Sequence, residues 1–390
     1  MRRPRTLRAL ALAPVGALCL GLTCAVAAPH AVAAPPGAAK NTVEEPRGAV
    51  KGRGKPAPAP TVEPAPSPAP TVAPDPVVEP SPSPAPSTPP PAPAPVTEPT
   101  PEPPAEAERR TVPIGTTIPW GPLDTSALAS RTAGWGATPS YLLWYTGFGE
   151  PADPAKLAAV RAAGAVPVIT WEPWNYTRGP VQPEYAMDRV VAGDHDTYIR
   201  EFARTLAADG GPVQLRFAHE MNGDWYPWAA RVNGNDAADY VAAWKHVHGL
   251  FAEQGATNVT WVWSPNVVYP GATPLADLYP GDAFVDVVGV DGYNWGTSQS
   301  WSSWYTGSEI FAPTLDEVRA LAPGKPILVA ETASTELGGD KAAWITELFA
   351  YLAAQPDVVG LIWFDENKET DWRVDSSPSS AAAFREAAAG

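Results

Sequence analysis

The chain has 390 residues, a formal charge of −15 at pH 7, and only two cysteines. So acidic a surface repels phosphate backbones and anionic lipid, which excludes nucleic acid and membrane surfaces as partners and leaves neutral polymers open. Both cysteines, Cys19 and Cys24, fall within residues 1–34, so the rest of the chain must fold without a disulfide and needs a core large enough to do so.

Arg2, Arg3, Arg5 and Arg8 precede an apolar stretch from Ala9 to about Ala28, and Ala31-Val32-Ala33 offers a small-residue cleavage site. This is the layout of a secretory signal over residues 1–34, and it predicts a secreted, extracellular protein with no integral membrane span after cleavage. A twin-arginine signal and a lipobox at Cys24 both fit the flanking residues poorly. Residues 55–108 alternate Pro with Ala, Ser, Thr, Val and Glu, which restrains the backbone towards polyproline II and leaves no apolar period. With the Gly and basic residues before it, this predicts a disordered linker over 35–110, whose Pro-rich part reaches about 170 Å at most at ~3.1 Å per residue. A solvated stalk and a loose association with a cell wall fit that composition equally.

From Thr111 the texture changes to short apolar runs separated by amphipathic stretches. The runs predict strands at Val112–Ile118, Tyr141–Tyr145, Val166–Trp171, Val213–Phe217, Val259–Trp263, Val285–Val290, Ile327–Ala330 and Val358–Phe364. Between them, Tyr198, Ile199, Phe202 and Leu206 share one helical face, as do Tyr240, Val241, Trp244, Val247 and Phe251, and again Trp344, Ile345, Leu348, Phe349 and Leu352. Leu157 and Val160 mark a shorter helix ending at Gly164. Eight strands alternating with helices predict a (β/α)8 barrel over residues 111–390. A doubly wound sheet also alternates, but no Gly-rich phosphate loop follows an early strand.

A barrel carries its chemistry where its strands end. The third strand ends in Trp171-Glu172-Pro173-Trp174, and the fourth in His219-Glu220-Met221-Asn222 with Trp225, Tyr226 and Trp228 beyond. The fifth carries Trp261 and Trp263, which share a parity, so one of the pair is expected to line the site. The sixth gives Asp291-Gly292-Tyr293-Asn294-Trp295, the seventh Glu331-Thr332, and the eighth Trp363-Phe364-Asp365. Carboxylates set among flat rings suit a sugar, whose C–H faces cover an aromatic while its bridging oxygen takes a proton. His219-Glu220 is not the start of a zinc-protease helix, because Gly223 stands where the second histidine belongs. No metal or cofactor is expected. Asp365, Glu366 and Asp371 read as a solvated face, and Trp301 and Trp304 as cover for a long loop.

The run His219-Glu220-Met221-Asn222-Gly223 followed by Trp225 resembles the acid/base motif of glycoside hydrolase family 26. Asp291-Gly292-Tyr293 and Glu331 are similar to that family's sixth-strand tyrosine and seventh-strand nucleophile. The resemblance covers residues 111–390 and implies an endo-acting, retaining β-glycoside hydrolase on a (β/α)8 barrel, cleaving a β-linked polysaccharide by double displacement; the sequence is silent on oligomeric state, and a monomer is the default expectation. It implies Glu220 as the general acid/base and Glu331 as the nucleophile, with Tyr293 bonded to the latter. His219 and Trp225 would help form the subsite of the sugar being cleaved, Trp363 would be its stacking floor, and Arg216 would keep Glu331 charged. Glu172, Trp171, Trp174 and Asn222 are counted with the substrate-contacting residues. β-1,4-Mannan is the family's commonest substrate and comes first. The absence of the family's usual histidine after the third strand leaves a mixed-linkage β-glucan as the alternative, beside a non-catalytic carbohydrate-binding barrel.

Overall fold

The computed structural model describes residues 110–118 and 121–390; the expected signal and nearly all of the expected linker lie outside the described residues. Arg110, at the end of the expected linker, is already anchored. Its guanidinium donates to the carbonyls of Leu352, Gln355 and Val358.

Eight parallel strands close on themselves, each paired with its neighbour in sequence and the eighth with the first. They are β1 (Ile114–Thr117), β2 (Tyr141–Gly147), β3 (Val166–Glu172), β4 (Val213–Phe217), β5 (Val259–Trp263), β6 (Val287–Asn294), β7 (Ile327–Ser334) and β8 (Val358–Trp363). The helices between them are α1 (Thr125–Trp135), α2 (Pro154–Ala162), α3 (Met187–Val191), α4 (Asp196–Asp209), α5 (Ala237–Glu253), α6 (Leu275–Leu278), α7 (Gly307–Leu321), α8 (Lys341–Ala353) and α9 (Pro378–Ala389). The expected barrel is therefore the observed one.

Local chemistry sets the helix ends. Asp153 caps α2 ahead of Pro154, whose missing N–H costs nothing at a helix start. Asp236 with Asp239, and Thr306 with Glu309, form reciprocal capping pairs on α5 and α7. The apolar faces of α4, α5 and α8 then pack inward as their spacing requires.

Side-chain alternation along the strands divides the tryptophans from the acids. Trp171 packs among Phe202, Phe217 and Phe251, with its ring 4.5 Å from that of Phe202 on α4. Trp363 packs against Trp344 of α8 and Phe384 of α9. Trp261 faces Trp244 and Phe251 of α5, and Trp263 faces Tyr279. All four are buried in the layer between strands and helices. Thr170 and Glu172, one residue either side of Trp171, have the opposite parity and face the barrel axis, as does Arg216 beside the core residue Phe217.

The sixth and seventh strands run four residues past their apolar stretches. Asp291, Gly292, Tyr293 and Asn294 pair in register with Glu331, Thr332, Ala333 and Ser334, after an irregularity between Val290 and Asp291. The two acids thus pair with each other in the ladder, and Asp291 is also bonded to Pro265 and Val267 beyond β5. Bulges of this kind re-aim side chains where a site needs them.

Candidate active site

At the mouth of the barrel one buried cation organises several anions. Arg216, from β4, has no solvent-exposed surface. Its guanidinium binds Asp291 at 2.6 Å, pairs with Glu331, and donates to Thr170 at 3.0 Å. Burial opposes its charge, yet Asp291 and Glu331 hold it protonated above its ordinary range. Asp291 also accepts a hydrogen bond from Ser264 at 3.1 Å. Gly289 makes room for this contact, because any side chain there would run into the Ser264 hydroxyl.

Glu331 collects two further donors. The Tyr145 hydroxyl donates to its Oε1 at 2.7 Å, and the Tyr293 hydroxyl to its Oε2 at 2.5 Å. Burial, and then the charge of Glu331, push both phenols well above their usual range, so they remain protonated and can keep donating. Three converging donors fix the orientation of this carboxylate and suit its charged form.

Glu220 sits in an environment of the opposite kind. Beyond Phe217 the chain turns through Ala218 (φ +46°) and Glu220 (φ +52°), a left-handed conformation that costs a non-glycine residue roughly 1–3 kcal/mol. Backbone bonds hold the turn: Ala218 N donates to Trp171 O at 3.0 Å, and Glu220 N to Ser264 O at 2.7 Å. The Glu220 side chain accepts from Trp225 Nε1 at 2.7 Å and from Asn266 Nδ2 at 3.0 Å. Gly223 permits the first contact, since a side chain there would collide with the Trp225 indole. Burial, and then the negative charge of Glu331, raise the Glu220 carboxyl to about 7, against the opposing pull of the Asn266 and Trp225 bonds. It is therefore still protonated in a substantial share of molecules in neutral solution and can give that proton up.

Glu220 and Glu331 open together onto one cleft of about 670 Å³. Trp225 and Tyr269 stand on the Glu220 side, their rings 6.0 Å apart. On the Glu331 side an aromatic wall runs outward: Tyr293 lies 5.2 Å from Trp372, Trp372 4.8 Å from Trp295, and Trp295 5.3 Å from Trp301. Phe364 and Lys368 complete that side.

The expected site residues divide between the cleft and the core. Glu220, Glu331, Trp225 and Tyr293 line the cleft, and Arg216 lies beneath it. Trp363 offers no stacking floor: it is fully buried, its indole N–H donates to Trp372 O, and its place on the cleft wall is taken by Phe364 and Trp372. Trp171 belongs to the core on the same parity argument. Trp174 lies edge-on to Tyr226 and Trp228, and its N–H donates to Glu172 at 3.1 Å. Glu172 does not reach the cleft surface; it is buried, and burial above all raises it to about 8. His219 is sealed between Tyr145, Tyr226 and Trp228, and burial, with Arg216 and Lys368, lowers its pKa well below the usual histidine range. Asn222 is buried and bonded to Asn266 instead of facing the cleft.

Several residues were not anticipated. Tyr145, Asn266, Tyr269 and Trp372 come from other strand ends and loops, and no local pattern flags them. Trp301, expected to cover a loop, is 43% exposed and lines the cleft, whereas Trp304 packs on Gly339. Neither Trp261 nor Trp263 reaches the site. Asp365 is buried against Arg131 at 2.6 Å and Asp371 pairs with Arg373, so these acids are not a free solvated face. Among the described residues no group of three or more His, Cys, Asp or Glu side chains is placed to hold a metal ion.

Comparison with known proteins points the same way. The model of glycosyl hydrolase family 26 matches residues 168–338. The chain is 43% identical over 236 residues to Endoglucanase H of Acetivibrio thermocellus, which covers 59% of this chain and 25% of that one. It is 31% identical over 100 residues to a mannan endo-1,4-beta-mannosidase of Bacillus subtilis, covering 24% and 27%. It thus spans about a quarter of the length of these relatives. The catalytic domain of the Bacillus sp. JAMB-750 GH26 endo-beta-1,4-mannanase superposes with a TM-score of 0.56 at 20% identity, over 72% of this chain and 86% of that one, which shows a shared fold.

Proposed function

The chain belongs to glycosyl hydrolase family 26, and from that premise we propose that it is a secreted, endo-acting β-glycanase that cleaves by double displacement. In this reading Glu331 attacks the anomeric carbon, the C–O bond to the leaving sugar breaks, and Glu220 delivers its proton to the departing oxygen. Water then attacks the anomeric carbon, the C–O bond to Glu331 breaks and frees its carboxylate, and Glu220, now ionised, takes a proton from the water. Once the ester forms, the charge of Glu331 is gone, so Glu220 loses one of the influences that raised its pKa and becomes a competent base.

The observation that carries this reading is the unequal setting of two buried carboxyls in one cleft. Three donors, a guanidinium and two phenols, orient Glu331 for attack. Glu220 has two neutral donors and a pKa of about 7, which suits an acid. Paired carboxyls whose environments separate their proton affinities divide the roles of acid and nucleophile in this way.

On the residues alone β-mannan came first. The much longer match to an endoglucanase reverses that order, and we place a β-1,4- or mixed-linkage β-glucan ahead of β-mannan. Glu172 and Trp174 support this, since the third strand ends without an imidazole to address an axial hydroxyl. Secretion is supported by the signal-like residues 1–34, and among the described residues no helix is long and apolar enough to cross a membrane.

The test is release of reducing ends from mixed-linkage β-glucan, glucomannan, galactomannan and β-1,3-xylan, with Glu331→Ala as control. The glucan should be cut fastest. Glu331→Ala should be inactive and regain turnover of an activated aryl glycoside with azide. Full turnover by Glu331→Ala would end the proposal.

A further inference from the structure

The acid of the pair is held by a residue that never touches the cleft surface. Asn222, two residues past Glu220, is fully buried, and its carboxamide spans the backbone of Asn266 with two bonds. Asn222 Nδ2 donates to Asn266 O at 2.8 Å, and Asn266 N donates to Asn222 Oδ1 at 2.9 Å. This reciprocal pairing needs one donor and one acceptor in a single plane at that reach. Asn supplies both; Asp lacks the donor, and Ser is too short to make both contacts.

The residue so clamped is the one whose side chain meets the acid, Asn266 Nδ2 to Glu220 Oε1 at 3.0 Å. Residues 264–267 also tie the two halves of the site together. Ser264 O accepts from Glu220 N, Pro265 O accepts from Asp291 N, and Asp291 O accepts from Val267 N, with Asn266 bridged to Asp291. Asp291 in turn holds Arg216 and, through it, Glu331. A backbone shift at Asn266 would therefore move the amide that meets Glu220 while the Arg216 pairs kept Glu331 in place.

We propose that Asn222 is a positioning residue for proton transfer, acting through Asn266 to hold the Glu220 carboxyl in line with the departing oxygen. This rests on the assignment of Glu220 as the acid. Asn266 touches the acid directly, whereas Asn222 acts one step behind it. Because the Asn266 amide favours charged Glu220, loosening it lets the acid hold its proton to higher pH.

The experiment compares Asn222→Ala, Asn266→Ala and the double variant on two substrates. One is a β-glucan polymer, whose leaving sugar needs a proton. The other is an aryl β-glycoside with an electron-poor phenol, which leaves without one. Proton transfer contributes about 10²–10⁴-fold, so partial misplacement should lower polymer kcat/KM about tenfold. The aryl glycoside should change less than about twofold for its bond-breaking step. The alkaline limb of the polymer profile should move upward in both single variants, and the double variant should be no worse than Asn266→Ala alone. Equal losses on both substrates, an unmoved limb, or additive losses would overturn the proposal.

Two further measurements keep the test decisive. Asn222→Ser stops its hydroxyl short of both backbone partners, leaves a smaller cavity than Asn222→Ala, and should show the same losses if the latter folds poorly. Titration of the Glu220 carboxyl carbon by 13C NMR needs no substrate, and its midpoint should rise in either Asn222 variant. An unchanged midpoint would refute the clamp even if no polymer were cleaved, while failure of wild type on every polymer would strike the hydrolase reading instead.

Discussion

Replacing Arg216 by Met probes the buried charge cluster most sharply. The side chain is unbranched and fills the space of the Arg216 stem, but it ends short of the guanidinium and offers nothing to Thr170, Asp291 or Glu331. Arg216 and Asp291 have no exposed surface and Glu331 has 1%, so neither abandoned carboxylate can recover its hydration. Removing one partner of such a buried pair costs about 3–5 kcal/mol. In a domain of this size that lowers Tm on the order of 10 °C. The deficit should depend on pH with a definite sign. Burial already holds the Asp291 carboxyl above its ordinary range against the pull of Arg216, and loss of the cation raises it further, so its contribution is intact at low pH and is lost as pH rises through the folded pKa. Thermal unfolding followed by circular dichroism between about pH 5 and pH 8 should show the variant losing ground to wild type as pH rises. Activity should fall by about 10²-fold or more, because Glu331 loses the guanidinium that orients it for attack. A Tm within about 2 °C of wild type, flat across that range, would refute the argument, because it would mean that the carboxylates were solvated or paired elsewhere.

Further predictions concern pH, the cleft wall and the core. With Glu220 raised to about 7 by burial and then by Glu331, kcat/KM should decline on the alkaline side with an apparent pKa close to that value, as an acid that must be protonated requires. A limb beyond pH 9 in wild type would assign the proton to another group. Trp301→Ala should raise KM for long polymer about 2- to 10-fold through loss of stacking, and leave a short aryl glycoside unaffected. Equal effects on both would place Trp301 outside the substrate path. Trp363→Ala should cost about 3–5 kcal/mol of stability, as large core truncations do, while the folded fraction keeps wild-type KM. A selective rise in KM would restore Trp363 to the cleft.

The barrel was legible because each strand announces itself as a short apolar run between amphipathic helices. Val213–Phe217 and Val259–Trp263 match the observed strands end for end. The chemistry was legible where a motif is local: Glu220, Gly223 and Trp225 lie within one turn and touch one another. It failed where parity mattered. Trp171 and Trp363 stand at strand ends beside acids, yet alternate side chains point to opposite faces, and these two point to the helices. It failed again beyond the apolar runs of β6 and β7. There the ladder continues through Asp291–Asn294 and Glu331–Ser334, because Arg216, Ser264, Tyr145 and Tyr293 satisfy the polar side chains. Tyr145 reaches Glu331 only across the closed barrel, and Asn266 reaches Glu220 only through the pairing of β4 with β5, so no spacing in the chain betrays them.

The division of labour between the two carboxyls is tested most directly by trapping. An activated 2-deoxy-2-fluoro glycoside of the preferred sugar should inactivate the enzyme, and mass spectrometry of its peptides should find the sugar esterified to Glu331. A label on Glu220 or Glu172, or a first product of inverted anomeric configuration, would contradict the account.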